Sequence, residues 1–209
     1  MTASGKYLLL VFFFVGSYWG LAQKLVEKSI LNPQARFVEI NGKDCFKVSL
    51  KTHATPVIRI EASLEGEYAK DLAIKMEEDG ANIFISAAFL PSFSDFNDKL
   101  SAHKVISIEL KITLPEFMKV SFYSTNTNLI ATGSYNSLGI QLDDGKCTLS
   151  NITHSINVKT QRGEIRLQQV AGTIKAKSEC GKISKGAVLE GSATFDLYSV
   201  EGDIFVNLP

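Results

Sequence analysis

Ser155-Ile156-Asn157-Val158-Lys159-Thr160-Gln161-Arg162-Gly163-Glu164-Ile165-Arg166-Leu167 sets aliphatic residues at 156 and 158 and again at 165 and 167, with polar residues and one glycine between. Alternation over so short a span has the period of a half-buried strand, and the glycine marks a corner between two such strands. The pattern extends in steps of nine through Gly172 and Gly181 on one side and Gly145 on the other, with His154, Asn136, Thr127 and Met118 in the same register. Two places after these marks stand Val120, Leu129, Leu138, Cys147, Ile156, Ile165, Ile174 and Ile183. Four places after, Phe122, Ile140, Leu149, Val158, Leu167 and Ala176 repeat the apolar choice. A three-residue insertion around Gly186 to Gly191 shifts the register to Ala193 and Gly202, which brings in Phe195, Leu197, Ile204 and Val206. Ten short strands of in-out-in form are expected.

Such strands close no core alone, but stacked on their sequence neighbours they bury a continuous apolar column, which is the logic of a solenoid. Ile152, Val170 and Val188 add a third apolar residue to alternate units, so the coil is about 18 residues with two unlike sides. The glycines of Arg162-Gly163-Glu164 and Cys180-Gly181-Lys182 are expected to supply a positive φ at tight corners. Each inward Ile, Leu or Val contributes about 1.5–3 kcal/mol. The outward ladder Asn128, Lys146, Glu164, Lys182, Asp203 contributes at most about 1 kcal/mol per exposed pair. The column dominates, and the ladder is a solvated face.

The preceding half is β as well. Leu72, Ile74 and Met76 alternate before a turn at Asp79-Gly80, and Ile83, Ile85 and Ala87 follow as the return of a hairpin. Val105 to Leu114 alternates strictly and ends at Pro115, while Phe37 to Ile40, Cys45 to Leu50 and Val57 to Leu64 read as three more strands. The fold class is therefore all-β, a single-chain β-solenoid over residues 115–209 preceded by an irregular β layer at 23–114 that caps it.

Residues 1–22 have the pattern of a signal peptide. Lys6 precedes the apolar run Tyr7 to Val15, no acidic residue occurs before Glu27, and Gly20 and Ala22 offer a cleavage site before Gln23. The run falls short of the roughly 20 residues a spanning helix needs, so no membrane span is expected in the mature chain. Lys and Arg number 22 and balance 22 Asp and Glu, which leaves no global field for nucleic acid. Cys45, Cys147 and Cys180 are an odd number without the spacing of a disulfide framework or a zinc site, and Cys147 falls at a core position of the repeat.

The signal peptide, the strand ending at Leu114-Pro115-Glu116 and repeats of the type Ser155 to Ile165 resemble the bacterial putative-adhesin family of β-solenoid domains, head GIN domains among them. The likeness is good from Val105 to Pro209 and looser before it. It implies a right-handed β-helix in an exported bacterial protein, and it implies no reaction, because the family has no agreed catalytic residues.

Chemical candidates are few. A calcium-binding β-roll needs Gly-Gly-x-Gly-x-Asp turns, which this sequence lacks. A glycan-cleaving β-helix needs convergent acids, and Asp143, Asp144, Arg162, Glu179 and Glu201 fall near successive marks where a charged rim of corners is the simpler expectation. His53, His103 and His154 share no motif, so neither a metal nor a nucleophilic site is expected, and no cofactor. Asn151-Ile152-Thr153 matches a glycosylation acceptor, but Ile152 should point inward. Leu90 to Lys104 breaks the alternation and sets Phe93 and Phe96 beside Asp95 and Asp98. A loop of about 15 residues commonly binds something, or here folds its rings over the open end of the stack. These residues are the candidate binding group. The expected function is adhesion or envelope interaction by an exported, non-enzymatic module at the periplasm or cell surface, with an envelope protein or a glycan as partner. The alternative is a glycan-binding or glycan-cleaving β-helix.

Overall fold

Alternating aliphatic residues with β-branched neighbours leave the chain little option but strands, and the computed structural model, which describes residues 24–65, 72–89 and 107–207, contains no helix among them. The strands are β1 (Lys24–Leu31), β2 (Phe37–Asn41), β3 (Lys47–His53), β4 (Val57–Glu65), β5 (Leu72–Asp79), β6 (Asn82–Phe89), β7 (Ser107–Pro115) and β8 (Lys119–Gly133). They continue with β9 (Ser137–Ile152), β10 (Ile156–Thr160), β11 (Glu164–Gln168), β12 (Ala171–Ser178), β13 (Ile183–Lys185), β14 (Leu189–Ser199) and β15 (Ile204–Val206). Each coil gives one strand to each of two parallel ladders. The first runs β6, β2, β8, β9, β10, β14, β12, and the second runs β7, β3, β8, β9, β11, β15, β13. β5 flanks β6 antiparallel, and β4 then β1 flank β7 antiparallel.

The nine-residue units are not all separate strands. β8 and β9 each join two units, because their pairing continues round the corner through Asn126↔Asp144 and Thr127↔Gly145. The hairpin at Asp79-Gly80 forms as β5 and β6, with Gly80 at φ 59°.

Stacking does not follow sequence order. The coil of β2 and β3 lies between the coil of β6 and β7 and strand β8, so residues 37–53 sit inside the stack rather than in an irregular layer before it. At the other end β14 and β15 insert between β10 and β11 on one side and β12 and β13 on the other. Side-chain size accounts for this order. Phe195, Leu197, Ile204 and Val206 are at most 1% exposed in the inner slot, whereas the outermost coil carries the smaller Ala176 and leaves Ile183 40% exposed. Ile174 and Ala176 pack half-buried against the core and Val188 is exposed, so the apolar column runs into the last coil and is left partly uncovered there.

The corner glycines serve a different purpose from the one expected. Gly163 and Gly181 do not have positive φ; of the corner column, Gly145 does, at 96°. What the corner requires is room. A Cβ on Gly181 would stand 2.2 Å from the carbonyl oxygen of Gly202, and one on Gly202 would stand 2.1 Å from that of Gly163. Backbones of successive coils touch there, and no side chain fits between them.

Beside this corner the column turns polar. Thr160 Oγ1 donates to the Gly163 carbonyl and bonds Ser199 Oγ, each at 2.8 Å, and the Gly202 amide donates to Ser199 Oγ at 2.8 Å. Ser178 Oγ donates to the Gly202 carbonyl at 2.9 Å. In the earlier coils Thr127 Oγ1 donates to the Cys45 carbonyl at 2.7 Å and sits 2.5 Å from Ser124 Oγ. These hydroxyls satisfy the turn backbone, so no buried side-chain N or O among the described residues lacks a partner.

Candidate binding surface

Phe93, Asp95, Phe96, Asp98 and His103, and residues 1–22 with their expected export signal, lie outside the described residues. The charged corner does form. Arg162 N donates to the Asp143 carbonyl at 2.7 Å, Glu201 N to that of Gln161 at 2.8 Å and Cys180 N to that of Val200 at 2.8 Å, which stacks the corners coil upon coil. Arg162 Nε reaches Asp144 Oδ2 at 3.5 Å. Glu179 turns instead to Lys177 Nζ at 2.5 Å, and this contact holds its carboxyl below the usual range and the Lys177 amine above it. Asp143, Glu179 and Glu201 are exposed and Asp144 half-buried along this rim, and no group of three His, Cys, Asp or Glu among the described residues could hold a metal ion.

The outward ladder also follows the interposed order. Lys47 pairs with Glu109 at 2.9 Å and Lys146 with Glu164 at 3.0 Å, while Asp203 accepts from the Lys182 amide at 2.7 Å. All three thiols are free. Burial pushes those of Cys45 and Cys147 up to about 12, with Asp44 adding to the effect at Cys45, whereas Cys180 is exposed.

A better-built surface lies at the opposite corner. β7 ends at Pro115, and the next two residues are tied to other coils: Glu116 N donates to the His53 carbonyl at 3.1 Å, and Phe117 N to that of Ser134 at 2.9 Å. Lys119 N then donates to the Arg36 carbonyl at 3.0 Å. Held from both sides, Phe117 takes φ 62°, a left-handed backbone that costs a bulky residue about 1–2 kcal/mol. Its ring is 58% exposed. The His154 ring meets it edge-on, with centroids 5.5 Å apart and planes at 86°. Thr153 Oγ1 lies 2.8 Å from His154 Nδ1 and donates to Ser134 Oγ at 3.1 Å, which fixes the imidazole.

Phe117 forms one wall of a cavity of about 280 Å³ that it shares with Asn32, Pro33, Arg36, Pro56 and Pro115. Beyond Pro56 a second hollow of about 180 Å³ is lined by His53, Thr55, Val57, Arg59 and Thr113. Arg36 Nη1 donates to the Pro33 and Ala35 carbonyls at 3.0 and 2.9 Å, so the guanidinium is fixed in place with donors to spare. Rigid prolines, one ring and a positioned cation, with Glu116 on the same lining, suit binding. The sequence signal for Phe117 was its position next to the mark at Met118, where an apolar residue must face outward.

No helix among the described residues is long and apolar enough to cross a membrane. A putative cell adhesion protein from Clostridium sporogenes superposes with a TM-score of 0.66 at 16% identity, over 89% of this chain and 99% of its own. A putative adhesin from Bacteroides fragilis gives a TM-score of 0.39 at 10% identity, over 90% of this chain and 99% of its own. At its identity, the first likeness speaks for the fold alone. No curated protein matches the chain. Stacked parallel coils, corner glycines and the strand leading into them fall largely within residues 60–209, which the Toastrack DUF4097 model matches, so the chain belongs to the Toastrack DUF4097 family.

Proposed function

We propose that this chain is an exported, non-enzymatic interaction module of a bacterial envelope that binds a protein or glycan through the corner around Phe117. One observation supports this reading above the others. A large exposed ring is kept in a costly backbone conformation by hydrogen bonds from neighbouring coils, and strain of that kind gathers at working surfaces. The Clostridium sporogenes protein that shares the fold is itself named a putative cell adhesion protein. In this proposal residues 1–22 are the export signal, residues 23–114 begin the stack and 115–209 complete it, and the coils wind right-handed as parallel β connections do. A glycan is the favoured ligand class if the ring serves as a stacking platform, with Arg36 and Asn32 as neighbouring donors.

Phe117→Gly tests the site. Glycine accepts the left-handed backbone, so stability should stay level or rise by up to about 1 kcal/mol, while capture of envelope proteins or of arrayed polysaccharides is lost. A variant that captures as well as the parent would remove this corner from the function. N-terminal sequencing of the protein from its host should begin at Gln23.

A further inference from the structure

The two ends of the stack are finished differently. At the end nearer the N-terminus, β4 and β1 add antiparallel strands to one ladder, and β5 closes the other. Lys28 Nζ also reaches across to the Ile74 carbonyl of β5 at 2.5 Å. At the far end β12 and β13 have no strand beyond them among the described residues, so no described strand pairs their outer backbone groups. The apolar column stops there half-covered: Ile183 is 40% exposed and Val188 36%.

Charge narrows what could cover this end. Residues 171–188 hold Lys175, Lys177, Lys182 and Lys185 against a single carboxylate, Glu179, which Lys177 already engages. Lys185 is the informative one. It is in register with Val206, which aligns with Leu167 and Leu149 in the inner coils. A lysine thus occupies the last place of an otherwise aliphatic column. Any strand laid over it would have to meet an ammonium group, and a burial of that kind is tolerated only beside a carboxylate. A second copy stacked end to end would set lysines against lysines, so the same residues that discourage self-association favour an acidic partner.

We infer that the β12 and β13 end accepts an extended acidic segment of another protein, added as the next strand, with apolar side chains over Ile174 and Ile183 and a carboxylate at Lys185. Backbone pairing to the open edge would supply affinity, and alternate side chains would supply selection. The surface is separate from the Phe117 corner, and its test does not depend on that site.

Ile183 and Lys185 are two residues apart and share one face of β13, so the probe, titrated into the full chain, is a fluorescent peptide of repeating Val-Thr-Glu-Thr, which sets Val and Glu on one face, beside its counterpart with Lys in place of Glu. The acidic peptide should bind, weaken as salt rises, and slow amide exchange along Ala171–Ser178. Lys185→Glu should lower its affinity at least about tenfold, while Lys159→Glu, an exposed lysine on inner strand β10, should leave it unchanged. Equal binding of the two peptides, no binding of either, or equal effects of the two substitutions would overturn the inference. So would concentration-dependent dimers in sedimentation, which would give the end to a second copy. Capture by phosphatidylserine vesicles without peptide binding would give it to a lipid surface and overturn it equally.

Discussion

Cys147 has no exposed surface and Cys45 almost none, while Cys180 faces water, so a thiol reagent should find one reactive site in the folded chain and three in denaturant. The same burial makes stability depend on alkali. Both buried thiols are pushed from 9.0 to about 12, so the folded state holds its protons where the unfolded chain has released them. Their contribution is complete below about pH 9 and falls by about 1.4 kcal/mol per pH unit for each thiol, until the folded thiols ionise as well. Urea melts at pH 8 and 10.5 should show this loss, and Cys147→Ala should reduce its slope. A flat profile would mean that Cys147 is not sealed in the column. That Cys147 lies inside was legible from its place two residues after Gly145, whereas the need for glycine at 181 was legible and its reason was not. A sequence shows that a Cβ is missing, but whether φ or a neighbouring carbonyl forbids it depends on which coil lies alongside.

At the scale of strands the column can be tested position by position. Ile165 is fully buried between coils and Ile183, at the same place in the repeat, is 40% exposed on the last one. Ile165→Asp should abolish cooperative folding, because the carboxylate has no partner and no water within reach. Ile183→Asp should cost far less, and Glu164→Gln on the outward ladder well under about 1 kcal/mol. Thermal melts that fail to separate Ile165 from Ile183 would refute the placement of β13 at the end. The inward positions of β8 to β11 could be read directly from the alternation, since period two leaves only one way to turn the aliphatic face. The corner around Phe117 could not, because His53, Ser134 and His154 come to it from coils far apart in sequence. A Phe93→Ser, Phe96→Ser double variant should lower the melting temperature where the two rings cap the stack, and should leave it level with capture lost where they bind a partner.

For the molecule as a whole, the order of coils was the least legible feature. Every coil presents a similar ladder edge, so nine-residue periodicity fixes what faces inward without fixing which coil sits next to which. The clue was quality: Ala176 and Lys185 make residues 171–188 the poorest filler, and the richer segment with Phe195 took the inner slot. Deleting residues 189–209 should therefore be severe. It removes Phe195, Leu197, Ile204 and Val206 at about 1.5–3 kcal/mol each, which approaches the roughly 5–15 kcal/mol that holds a domain folded. A truncated chain that still melts cooperatively near the parent temperature would show that the coil of β12 and β13 can close the gap unaided. The interposed order also decides how the molecule bears load. Tension applied near Asn207 must shear β14 and β15 out from between two parallel neighbours at once, whereas tension at Lys24 unzips β1 from its one partner strand, β4. A tethered chain of this design would yield first at its amino-terminal end and hold longest at the other.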